Sequence, residues 1–308
     1  MMKKRILEGL RKLWGIPQMQ WEITEKIKDQ VRILHGELRR EQLAACIMNT
    51  TTLGISDERY GQENVIVTLT SFGPRLYDTA FAIESIMQQT CRPNRIVLWL
   101  AHDDYKRIPR TLRMQQERGL EIRECDDLRS YKKIIPSLRE FPNEVLVTID
   151  DDVMYDADVL ERLITCWQSE PQYIYCCRAH RMRLYTNLQF EPYSHWDWGT
   201  NEIGPHRLNF FTGVGGVLYP PHCLDERVLD ESTFMSICRT ADDVWLNAMA
   251  LLKGTMVSRV STRNPHGEDY VEGAAARLSN LSTVNASKND VQLKTVYTKY
   301  SLYDKLSK

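Results

Sequence analysis

The stretch Phe141-Pro-Asn-Glu-Val-Leu-Val-Thr-Ile-Asp-Asp-Asp-Val-Met-Tyr155 carries a short apolar run into three consecutive carboxylates. Val145, Leu146, Val147, Thr148 and Ile149 are β-branched or aliphatic and too few for a helix. They read as a central strand of a covered sheet, with Asp150, Asp151 and Asp152 at its carboxyl end. On an extended chain, side chains two apart point the same way, which predicts that Asp150 and Asp152 share a face while Asp151 turns to the other. Three adjacent negative charges at the tip of an apolar strand repel one another and need a compensating cation. Capping of the helix expected over residues 156–169 requires only one Asp. Open α/β sheets place ligands at the carboxyl ends of strands, so Asp150 and Asp152 are expected to hold a divalent ion, Mn2+ or Mg2+, that carries a diphosphate.

Outward from this stretch, apolar runs alternate with amphipathic ones. Asn64–Ser71 reads as a buried strand, followed by the turn Phe72-Gly73-Pro74-Arg75 and a helix to about Gln89. A second strand, Arg95–Ala101, ends in His102-Asp103-Asp104. A helix near Pro109–Arg118 and a strand at Leu120–Glu124 come next. This order implies βαβ units and a Rossmann-like, mostly parallel central sheet flanked by helices. In Asp126–Pro136, Lys132 or Lys133 is placed to neutralise phosphate, the alternative being a solvated lysine on a helix. Past the strand Gln172–Cys177, the aromatics Trp196 and Trp198 alternate with polar groups, a composition suited to stacking on sugar rings or to a core.

Phe211–Pro221 contains Gly213, Gly215 and Gly216, which remove side chains where backbone must approach something closely or adopt positive φ. The spacing is not GxGxxG, so a dinucleotide site is disfavoured. Asp242 and Asp243 open a further apolar helix that Thr240 is able to cap, with the bulky Trp245 beside them. Helix capping accounts for one of these acids. Beyond a strand expected at Thr255–Val260, the polar loop Asn264–Asp269 presents His266, an imidazole suited to a manganese-like ion.

An Asp-x-Asp at a strand end, after a Rossmann-like first half and before an acidic pair, resembles the GT-A glycosyltransferases, in particular the family-two-like enzymes of bacterial surface polysaccharide synthesis. The resemblance spans about residues 62–270. It implies that Thr70, Arg75, Asp103 and Asp104 border the nucleotide, that Asp150 and Asp151 face the donor, and that Gly215 and Gly216 lie beside the donor sugar. It further implies that Asp243 is the base, with Asp242 as the fallback, and that His266 completes the metal shell. Trp196, Trp198 and Trp245 would then line the acceptor. The expected reaction moves a sugar from a nucleoside diphosphate donor, a UDP-sugar, to a hydroxyl of a glycan or lipid-linked glycan, with inversion if Asp243 takes the proton. Three alternatives stand beside it: a retaining glycosyltransferase, a sugar-nucleotide nucleotidyltransferase, and a non-catalytic glycan-binding module.

The whole chain of 308 residues carries 40 basic and 41 acidic side chains, which gives no electrostatic footprint for nucleic acid. Eight cysteines without a CxxC pair read as reduced core residues of a cytoplasmic protein. The expected division is a helical extension over 1–60, a catalytic domain over 61–275 and a helical tail over 276–308. Residues 1–14 put Ile6, Leu7, Leu10, Leu13 and Trp14 opposite a basic face, an interfacial pattern that suggests contact with the inner face of a membrane. Gly15, Ile16 and Pro17 are expected to break that helix. A second helical segment follows over residues 21–48, in which Ile27, Val31, Leu34 and Leu38 form a seam for packing on the main domain or on a second subunit.

Overall fold

The computed structural model describes residues 2–262, 270–272 and 281–306, with side chains from 20 onward in the first stretch and from 288 onward in the last. Its first strands are β1 (Val65–Thr70), β2 (Arg95–Ala101), β3 (Leu120–Cys125), β4 (Val145–Thr148), β5 (Val153–Tyr155) and β6 (Ile174–Cys176). The remainder are β7 (Ala179–Arg181), β8 (Gly204–His206), β9 (Asn209–Phe211), β10 (Val217–Tyr219), β11 (Val257–Arg259) and β12 (Tyr270–Glu272). The helices are α1 (Met2–Asn49), α2 (Leu76–Met87), α3 (His102–Tyr105), α4 (Arg110–Gln116), α5 (Ile135–Glu140), α6 (Val159–Ser169), α7 (Glu231–Ile237), α8 (Asp242–Lys253) and α9 (Leu281–Lys299).

Eight strands form one sheet in the order β3-β2-β1-β4-β10-β6-β11-β8. β1 pairs in parallel with both β2 and β4, and β3 extends this parallel block from β2. β10 enters antiparallel between β4 and β6, and β8 closes the edge antiparallel to β11, so the sheet is mostly rather than wholly parallel. The pleat sorts the apolar side chains onto two faces. On β1 and β4, Val65, Val67, Leu69, Val145 and Val147 point to the face covered by α2 and α6, while Ile66 and Leu146 point to the face carrying α8 and α9. Both faces are dry, which is why these strands read as continuous apolar runs.

The sequence expectation fails at two points. The chain leaves the strand conformation after Thr148, and Asp151 and Asp152 lie in a turn leading to β5, which pairs with β12. The alternation that would put Asp150 and Asp152 on one face therefore does not operate there. α1 is one continuous helix through Gly15 and Pro17, with no break between the two segments expected. A proline removes only one N–H from the ladder, and the chain carries the helix past it.

Candidate functional site

The carboxyl ends of β1, β2 and β4 open onto a cavity of about 540 Å³. Thr70 enters it from the end of β1, its Oγ1 donating to the Trp99 carbonyl at 2.8 Å. The Phe72–Arg75 turn is possible because Gly73 takes φ +52°. The Gly73 N–H donates to Asp104 Oδ1 at 2.8 Å, which ties the loop after β1 to the end of β2.

Arg75 binds the acidic turn. Its Nε and Nη2 donate to Asp151 at 3.2 and 2.5 Å, and Nη2 lies 2.7 Å from Asp152 Oδ2. Ser71 Oγ also donates to Asp151, at 2.5 Å. Asp151 is buried, and burial raises its pKa against the pull of Arg75 and Ser71. Asp152 is pushed up to about 6, first by burial and then by the charge of Asp150, with Arg75 opposing.

Asp150 turns the other way, toward Lys133. The buried Lys133 places Nζ 3.2 Å from Asp150 Oδ1 and 2.9 Å from Asp242 Oδ2. Burial alone would depress this ammonium, but Asp150 and Asp242 overcome it and hold Lys133 well above the ordinary lysine range. Lys132 is also buried and pairs with Asp127 at 2.7 Å, so neither lysine is the solvated residue that the sequence left open.

Asp242 and Asp243 stand in the first turn of α8, whose N-cap position is Ala241 and so carries no side-chain cap, while Thr240, expected to cap it, bonds Gln292. Asp242 is buried against Lys133, whereas the half-buried Asp243 accepts the Gly213 N–H at 3.1 and 3.2 Å. A Cβ on Gly213 would stand 2.6 Å from Lys133 Nζ, 3.3 Å from Asp150 Oδ1 and 3.4 Å from Asp243 Oδ1, so this glycine is where the two acidic groups approach each other. Gly215 and Gly216 serve differently: with φ of +98° and +95° they make the turn into β10 and lie off the cavity wall. The Asp243 pKa is raised to about 7, first by burial and then by Asp242, with Lys133 opposing.

No family model matches the chain, and no curated protein matches it in sequence. Among the solved structures similar to it is the inositol-1-phosphate CTP transferase from T. maritima, 11% identical over 77% of this chain and 97% of that chain, with a TM-score of 0.43.

Of the residues expected at a donor site, Thr70, Arg75, Asp104, Lys132, Lys133, Asp150, Asp151 and Asp152 line the cavity, and Asp103 is exposed away from it. The expected acceptor tryptophans separate. Trp245 is wholly buried, donating its indole N–H to the Val228 carbonyl, and Trp196 is buried among Phe190, Tyr193 and Phe210. These two are core residues and wall no acceptor. Trp198 alone is exposed, stacked on His180 with ring centroids 5.0 Å apart. His266 lies outside the described residues. Among the described residues no three His, Cys, Asp or Glu side chains are arranged to hold a metal ion. Asp150 and Asp152 supply hard oxygen donors of the type such an ion takes, although each faces a cation of the protein, Lys133 and Arg75, and the rise of Asp152 comes first from burial and second from the charge of Asp150.

Two contributors escaped the sequence reading. Arg129, on the cavity wall, takes φ +55°, a conformation that no sequence pattern announces for arginine. Asn247 is buried one turn into α8. It accepts the Phe211 N–H and donates to the Phe211 and Asp243 carbonyls, which fixes the glycine loop against the start of α8. The only available signal was an amide within an apolar helix.

Proposed function

We propose that the protein is a glycosyltransferase of GT-A type that transfers a sugar from a nucleoside diphosphate donor to a hydroxyl of a glycan or lipid-linked glycan. The observation that carries this reading is the approach of Asp150, on a cavity lined by Arg75, Lys132 and Lys133, to Asp243 across the unsubstituted Cα of Gly213. In this reading the diphosphate lies in the cavity and the anomeric carbon near Gly213. Asp150 and Asp152 would hold Mn2+ or Mg2+, which when bound neutralises charge on the diphosphate. Lys133 and Arg75 offset charge on the leaving group, and Asp243, poised near neutrality, removes the acceptor proton as its oxygen attacks. A carboxylate acting directly in this way gives inversion. Trp198 is the expected acceptor tryptophan that stays exposed and available to stack on an acceptor ring.

A second reading, nucleotidyl transfer, has one observation in its favour. Arg75, Arg129, Lys132 and Lys133 all line the cavity, a number of cations that suits a triphosphate. Against it, the Phe72–Arg75 loop offers a single glycine, whose N–H is already taken by Asp104. The products separate the two. Free nucleoside diphosphate released from a sugar nucleotide supports glycosyl transfer, whereas pyrophosphate from a nucleoside triphosphate and a sugar phosphate supports the rival. For the metal pair, Asp152→Asn should abolish the manganese-dependent rise in melting temperature on adding donor while the unliganded melting temperature holds. Unchanged donor binding in that variant would remove the metal assignment.

A further inference from the structure

We propose that the outward face of α1 between Ile23 and Met48 pairs with the same face of a second copy of this chain. Two apolar stripes run along this helix. Gly36, Leu43 and Ile47 are buried on the body of the protein, and between them Arg40 pairs with Asp78 at 2.8 Å and stacks over Phe81 at 4.4 Å. At 100° per residue, Ile27, Val31, Leu34 and Leu38 fall within about 60° of one another and about 180° from the packed stripe. Ile23, Ile27, Val31, Leu34, Leu38 and Met48 are each 49–58% exposed. The seam that the sequence offered either to the main domain or to a second subunit is therefore left uncovered by the described residues of the domain.

Three features point to a second copy as the occupant. The spacing of four, three and four is the repeat by which two helices keep one seam in register, so the stripe complements itself, as a two-fold interface requires. The contact is long enough. Ile23 to Met48 spans about 38 Å of helix. Two such stripes would bury on the order of 1,000 Å², which the stems of neighbouring polar residues carry toward the roughly 1,200 Å² at which stable interfaces begin. The charge does not suit a lipid surface: residues 20–48 hold five Lys or Arg against five Asp or Glu, and Lys28, Arg32 and Arg40 are engaged by Glu25, Asp29 and Asp78.

Light-scattering mass of the full chain across a dilution series tests this. The expected result is a two-chain mass that falls to one chain on dilution, and a one-chain mass throughout for Val31→Glu/Leu34→Glu. Mixing that variant with Val31→Lys/Leu34→Lys should restore the two-chain mass, which a variant that had merely misfolded would not do. A single-chain mass for the unaltered protein at every concentration overturns the pairing. So does a two-chain mass that survives the glutamates, or stripe-dependent pelleting of a single-chain species with lipid vesicles.

Discussion

Lys133 is the residue on which the candidate site closes, because its buried ammonium touches both acidic clusters. Asp242 is then chiefly the partner of Lys133, and Asp243, released from that duty, is the more exposed acid. Asp243→Asn should lower turnover by roughly 100- to 10,000-fold, with little change in donor affinity or melting temperature. Asp242→Asn should instead cost roughly 1.5–3 kcal/mol of stability, measured by urea unfolding, since it removes the charge of the ion pair with a buried lysine. A large turnover loss in Asp242→Asn alone would exchange the roles. His180 allows a second test. It is buried, accepts the Gly199 N–H at Nδ1, and burial pushes its pKa down to about 3, with Arg178 adding to the effect. The unfolded chain takes up this proton near pH 6.5 and the folded one does not, so stability is full above pH 6.5 and declines as pH falls toward 3. The loss is at most about 1.4 kcal/mol per pH unit. His180→Gln should flatten that part of the profile in unfolding measurements. The residue types of the acidic turn were legible in the sequence. Their pairing was not, because a turn places Asp151 and Asp152 on one guanidinium and sends Asp150 to Lys133, whereas alternation along a strand would have grouped Asp150 with Asp152.

At the scale of elements, the strands β1, β2, β3 and β4 and the helices α2 and α4 follow from apolar runs and amphipathic spacing, with observed bounds within a residue or two of the expected ones, whereas the short helices α3 and α5 were not expected. The direction of β10 left no such mark. Val217, Leu218 and Tyr219 would be as apolar in a parallel strand, and only the chain path through the glycine turn reverses them. Tertiary context likewise decided the tryptophans: Trp245 reads as a residue beside an acidic helix start, but its place on α8 turns it inward. The joint between β9 and α8 rests on Asn247, whose amide serves both backbone groups of Phe211. Asn247→Ala leaves these buried groups without their partner and should cost about 1–3 kcal/mol. Since the same joint aims the Gly213 N–H at Asp243, kcat should fall more than donor affinity. Steady-state kinetics beside donor titration decide this, and an equal fall in both would make Asn247 a purely structural residue.

Across the described part of the molecule, α9 and α1 are held to the body very unequally. α9 and the residues after it bury Leu293, Val296, Tyr297 and Leu302 in the same core that holds Trp245 and Phe234, and Gln292 reaches across to Thr240 just before the acidic pair. α1 makes its buried contacts through the stripe ending at Ile47, while the stripe of Ile27, Val31, Leu34 and Leu38 stays half or more exposed among the described residues. Burying four such side chains is worth roughly 6–12 kcal/mol, comparable with the whole net stability of a domain. A chain ending at residue 280 should therefore fail to unfold cooperatively and should bind hydrophobic dye, although the sheet and the cavity lining are intact in sequence. A chain beginning at Ile33 keeps Gly36, Arg40, Leu43 and Ile47, and should melt at the temperature of the unaltered protein measured at high dilution. What it should lose is the dependence of that temperature on protein concentration, because a pairing that stabilises only the folded state raises the midpoint by mass action. Calorimetry of both truncations over a range of concentrations separates the outcomes. A large fall in midpoint on removing residues 1–32, even at dilution, would mean that the projecting part of α1 supports its own domain and not a partner.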